Sequence, residues 1–153
     1  MWKMSQNVLY DDARRAFAEA EINWPAGDLY TLLVNADYTF AVSHTTLSDI
    51  SGSSGGPRDY APSPTASFKG YTLNTPLVAP NGAVYGDPVT FITVPAGRPD
   101  VRAVVLYKKD PGNDEAASPL IYYAGIATGL PITPNGGDII VTWSTGTNRI
   151  FRL

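Results

Sequence analysis

The sequence contains no cysteine, so neither a disulfide framework nor a thiolate nucleophile is available. That absence leaves the compartment open, because a cysteine-free chain is indifferent to redox conditions. Histidine occurs once, as His44, and any imidazole base or histidine-bound metal has to use it. Charge is sparse, and the net value of −3 provides no basic stripe for nucleic acid. Lys and Arg are scattered, with Arg14-Arg15 and Lys108-Lys109 as the only doublets. No apolar run approaches the ~20 residues that cross a bilayer. The opening MWKMSQNVLY lacks the continuous apolar stretch of a signal peptide. The expectation is a soluble protein with no export signal, no membrane and no nucleic-acid partner.

What is present is glycine, proline and β-forming residues: 14 Gly, 13 Pro and nine Tyr among 153 residues, with many Val, Ile and Thr. That mixture predicts a mainly β chain of short strands and frequent turns. The length predicts one domain, large enough to fold without staples. Residues 1–6 read as an N-terminal arm, apolar through Trp2 and Met4, and residues 7–153 as a single β-rich domain. Leu9, Ala13, Ala16, Phe17 and Ala20 form one helical stripe, which predicts an N-terminal α-helix from Asn7 to about Ala20. Asn7 would be its cap, and Pro25 and Gly27 its stop.

Asp28–Asn35 is apolar on both faces and predicts a central strand, which Tyr38–Val42 would continue or pair with. Thr45–Ile50 suggests one helical turn. Residues 51–66, SGSSGGPRDYAPSPTA, form a long Gly/Ser/Pro loop without regular structure, of the kind that is either functional or disordered. Strand signals then recur at Ser67–Leu73, Leu77–Ala79, Val89–Val94, Val101–Tyr107, Leu120–Ile126, Asp138–Trp143 and Asn148–Leu153. Pro80-Asn81-Gly82 marks a turn, and Asp110–Ser118 a polar hairpin tip. The closing Arg149–Leu153 has the composition of a strand packed into a sheet rather than of a free tail. About eight short strands with one helix predict a β-sandwich.

The residues give little basis for catalysis. Ser43, His44 and Asp49 are close in sequence, but a triad is defined by geometry, and a capped or surface histidine is the simpler reading. Asp110, Asn113, Asp114 and Glu115 lack the ligand register of a calcium loop. Gly52, Gly55 and Gly56 are followed by no Gly-Lys-Ser/Thr, so they do not form a phosphate loop. No catalytic residue, metal site or cofactor is expected. Tyr122 and Tyr123 are adjacent in a strand and point to opposite faces. Core roles are expected for Tyr30, Tyr107, Tyr122, Trp24 and Trp143, against the alternative of a sugar-stacking platform. Trp2 and Met4 of the arm, with Arg58 and Tyr60 of the loop, are the candidate partner contacts.

Two blocks carry a family likeness. One is NVLYDDARRAFAEAEINWPAGDLYTLLVNADYTF, residues 7–40; the other is SPLIYYAGIATGLPITPNGGDIIVTWSTGTNRIFRL, residues 118–153. The I-N-W, the G-L-P-I-T-P-N-G-G-D run and the I-F-R-L ending are their specific parts, and AVVLYKKD at 103–110 fits between them. Together they resemble a family of small structural virion proteins of tailed bacteriophages. The likeness extends over about two thirds of the chain. It departs from the pattern in the 51–66 loop and the MWKM start.

The resemblance implies a non-enzymatic capsid decoration or cement protein, located in the virion after synthesis in the host cytoplasm. Its implied partner is the major capsid protein, and a homo-oligomer, a trimer, is expected from the threefold positions of capsid lattices. The alternatives are a neck, tail or fibre-associated virion component, or a glycan-binding module that uses surface tyrosines and the 51–66 loop.

Overall fold

Two strands are apolar on both faces, and they form the centre of the protein. β2 (Leu29–Val34) and β7 (Ala103–Lys108) pair antiparallel from Leu29↔Lys108 to Val34↔Ala103. Their side chains are almost all buried, as an interior strand covered on both sides requires. The computed structural model describes residues 7–61, 68–146 and 149–153. Around the central pair, β1 (Asn7–Leu9), β3 (Tyr71–Thr72) and β8 (Leu120–Ala124) complete a five-stranded sheet in the order β1-β8-β7-β2-β3.

A second sheet holds β4 (Leu77–Val78), β5 (Ala83–Tyr85) and β10 (Phe151–Arg152), in the order β10-β5-β4. The hairpin between β4 and β5 turns at Pro80-Asn81-Gly82, where Gly82 sits at φ 81°, the Ala79 amide donates to the Ala83 carbonyl and the Gly82 amide to the Ala79 carbonyl. The chain's last strand, β10, is paired with β5 at Phe151↔Val84, as the composition of that stretch predicts. A two-stranded sheet joins β6 (Val89–Phe91) to β9 (Ile139–Val141). All of these pairings are antiparallel, and the protein is mainly β with one α-helix. Ten strands are described, against the expected eight or so.

The helix is shorter than its apolar stripe predicts. α1 runs Asp11–Ala18 and buries Ala13 and Ala16, while Asn7–Leu9 is a strand. Asn7 is therefore not a helix cap: its side-chain amide donates to the Ile126 carbonyl and accepts from the Ile126 amide, closing the end of β8. A sheet edge outcompetes local helix propensity here, because pairing with β8 satisfies backbone groups that an extra turn would leave to water. Tyr10, which follows the strand, is completely buried. At the other end the Glu21 and Ala20 amides return to Ala16 and Phe17, the double bond of a Schellman motif. Ala20, at φ 61°, holds the left-handed position usually given to glycine.

Two other expectations are corrected. Tyr38–Val42 is not a strand, because β2 ends in a turn at Asn35: its carbonyl accepts from the Tyr38 amide and its side chain from the Asp37 amide. Tyr38 and Phe40 instead contribute rings, Phe40 stacking on Tyr123 at 4.2 Å. The strand expected over Ser67–Leu73 is reduced to Tyr71–Thr72 among its described residues. The helical turn in Thr45–Ile50 is present as a 3-10 turn at Leu47–Asp49, closed by a Thr46/Asp49 capping box.

Candidate functional site

Trp2 and Met4 lie outside the described residues. Arg58 and Tyr60 are inside the protein: Arg58 is 0% and Tyr60 1% exposed. Residues with no accessible surface make no outside contact, so neither serves as a partner contact in this structure. The reason is long-range pairing. The Arg58 guanidinium reaches Glu115 Oε2 at 2.7 Å and donates a long bond to the Leu47 carbonyl. The Tyr60 hydroxyl donates to the Pro99 carbonyl at 2.6 Å.

Residues 51–61 do lack regular structure, but they are not a loose loop. Gly55, at φ 74°, turns the chain so that its amide donates to Asp59 Oδ2 at 2.8 Å. The Gly56 amide bonds the Ser53 carbonyl and the Asp59 amide the Gly56 carbonyl. A side chain at Gly56 would meet Ser53 at 2.8 Å, so the turn needs glycine there. The Asn35 amide, just beyond β2, donates to the Pro57 carbonyl and fastens the loop to the central sheet. Arg58, Asp59 and Tyr60 are then three consecutive buried residues.

Asp59 is the centre of this arrangement. Its Oδ1 takes Lys69 Nζ at 2.8 Å and its Oδ2 takes Arg98 Nη2 at 2.7 Å. Burial alone would raise its pKa. The Lys69 and Gly55 hydrogen bonds and the charges of Lys69 and Arg98 outweigh burial and hold it below the ordinary aspartate value. For Arg58, burial dominates and lowers the pKa, against the opposing charge of Glu115. Beside Asp59 lies a cavity of about 180 Å³ lined by Ser54, Tyr60, Lys69, Thr93 and Arg98 among others. Lys69 and Arg98 went unnoticed in the sequence. They stand ten and 39 residues from Asp59, and no local pattern links a carboxylate to cations at those separations.

His44 takes part in a different chain of contacts. Its Nδ1 is 2.9 Å from the Tyr38 hydroxyl, which is 2.9 Å from the buried Tyr10 hydroxyl. Asp49 accepts from the amides of Thr45 and Thr46, so its carboxylate caps a turn and does not orient the imidazole. In the 110–118 tip, Asp110 and Asp114 accept backbone amides and Glu115 faces Arg58. Among the described residues no group of three or more His, Asp or Glu is arranged to hold a metal ion.

The tyrosines are committed to the interior. Tyr10, Tyr38, Tyr60, Tyr107 and Tyr122 are buried and the other four half-buried. Tyr122 packs on Phe151 and Tyr123 on Phe40, on opposite faces of β8. Trp24 is buried, its indole donating to the Tyr85 carbonyl; Trp143 is half-buried and donates to the Asp87 carbonyl. Among the described residues the exposed large apolar side chains are Leu77, Val78, Ile92, Ile126, Ile140 and Leu153. Compared with models of known protein families and with curated proteins, the chain matches none.

Proposed function

We propose that this protein is a non-enzymatic structural component of a tailed-bacteriophage particle, in its leading form a capsid decoration or cement protein bound to the major capsid protein. The observation that carries the reading is the pair of sequence blocks, 7–40 and 118–153, with their G-L-P-I-T-P-N-G-G-D and I-F-R-L signatures. Their arrangement in space supports treating them as one unit. β1 pairs with β8 from Asn7↔Ala124 to Leu9↔Tyr122, and Phe151 packs its ring on Tyr122 at 5.0 Å and on Trp24 at 5.2 Å. The two blocks thus share one packing problem. The finer architecture we propose is a β-sandwich, in which Tyr122–Phe151 and Tyr71–Phe91 are ring contacts between sheets.

A cement protein needs many modest contacts, because multivalent attachment to a lattice adds through effective concentration. Exposed Leu77 and Val78 on the edge strand β4, and Ile140 on β9, suit such contacts. A trimer matches threefold lattice positions. Quantitative mass spectrometry of purified particles tests the reading: copy numbers on the order of hundreds support decoration, and a single ring's worth of copies moves the protein to the neck or tail. Light scattering tests the trimer, and a monomer both free and on stripped particles overturns it. The glycan-binding alternative would have to use half-buried rings such as Tyr30, Tyr71 and Tyr85, since five of the tyrosines are buried.

A further inference from the structure

We propose that the cavity beside Asp59 is a binding site for a small oxyanion, a phosphate or a carboxylate, held by Lys69 and Arg98. The two cations share one carboxylate, the only one in the lining among the described residues, so that lining carries one net positive charge. Among the described residues the ion-pair partner of both Lys69 Nζ, with three N–H donors, and the Arg98 guanidinium, with five, is Asp59. The remaining donors are positioned beforehand, because Asp59 fixes both side chains and is itself fixed by the Gly55 amide. Ser54 and Thr93 add hydroxyl groups to the wall.

The volume suits the ligand class. About 180 Å³ accommodates a small ion with water, and is less than the ~300 Å³ at which pockets for drug-sized molecules begin. The backbone supplies an independent sign. Lys69 (φ 53°) and Thr93 (φ 50°) are left-handed non-glycine residues, and both line this cavity. Such strain is costly, most of all at a β-branched residue, and concentrates at ligand sites. Lys69 is mostly buried and Arg98 about a third exposed, so an ion can enter on the arginine side while the low-dielectric wall strengthens its attraction. The site stands or falls separately from the virion reading.

The test is titration of the isotope-labelled full chain with inorganic phosphate and, separately, with acetate, each against chloride at matched ionic strength. The expected result is saturable shifts confined to signals of Gly55, Asp59, Lys69 and Arg98, in the millimolar range or tighter. Saturation by phosphate alone, by acetate alone or by both supports the site and decides its ligand. Arg98→Gln should weaken binding at least several-fold while the protein stays folded, since Asp59 retains Lys69 and Gly55. Shifts that follow chloride equally, or binding unchanged in folded Arg98→Gln, overturn the proposal.

Discussion

Arg15 on the helix and Asp59 in the loop each gather several ionic partners, but their settings differ. Arg15 meets Asp12, Glu19 and Glu21 with its side chain 45% exposed. Asp59 meets Lys69 and Arg98 with 4% exposed. At the surface, water competes for every partner and salt screens the charges, so such pairs contribute little. In the loop the carboxylate is enclosed and its cations are only 12% and 30% exposed, so losing a partner costs more than at the surface. The surface network is the larger by count and the weaker by consequence. The buried one, with Arg58–Glu115 beside it, organises a segment whose composition alone reads as irregular.

The largest expected effect is on the buried side. Arg58→Ala leaves a cavity in the interior and removes the partner of the partly exposed Glu115, which should cost about 2–5 kcal/mol, chiefly through the cavity. Urea unfolding measures it, and a loss below 1 kcal/mol would place the buried and surface pairs on a par. Asp59→Asn keeps an acceptor for the Gly55 amide but leaves Lys69 and Arg98 without a counter-charge; about 2–3 kcal/mol should be lost.

The same residue predicts a pH dependence. The folded-state pKa of Asp59 is depressed, so its contribution is fully present above the unfolded value, near 4. It is lost as pH falls through the lower folded value. The stability difference between the natural protein and Asp59→Asn should therefore shrink on acidification below about pH 4. A difference that stays constant there would show that Asp59 does not act through its charge.

On the helix, the backbone should matter more than the ions. Ala20→Gly relieves the left-handed strain at the Schellman position and should stabilise by about 1 kcal/mol, read as a rise in melting temperature. Arg15→Ala is expected to have the smallest effect, within the scatter of surface substitutions. Whatever loss it shows should vanish in high salt, whereas the Asp59→Asn loss should persist. A salt-resistant loss at Arg15 would erase the contrast between the two networks.

Local pattern was enough to determine several features. The largely apolar runs within Asp28–Asn35 and Val101–Tyr107 predict central strands, because a strand covered on both faces tolerates them. The Pro80-Asn81-Gly82 turn and the Thr45–Ile50 helical turn follow from residues adjacent in the chain. Tertiary structure decided the rest. Whether Asn7 caps a helix or extends a sheet depended on Ile126, 119 residues away. Whether Arg58 and Tyr60 face solvent depended on Glu115 and the Pro99 carbonyl. The cavity at Asp59 exists because Lys69 and Arg98 are delivered by separate segments. Periodicity and turn chemistry act through neighbouring residues, so a sequence displays them directly. Charge pairing and edge pairing are settled by which distant groups must be satisfied once water is excluded.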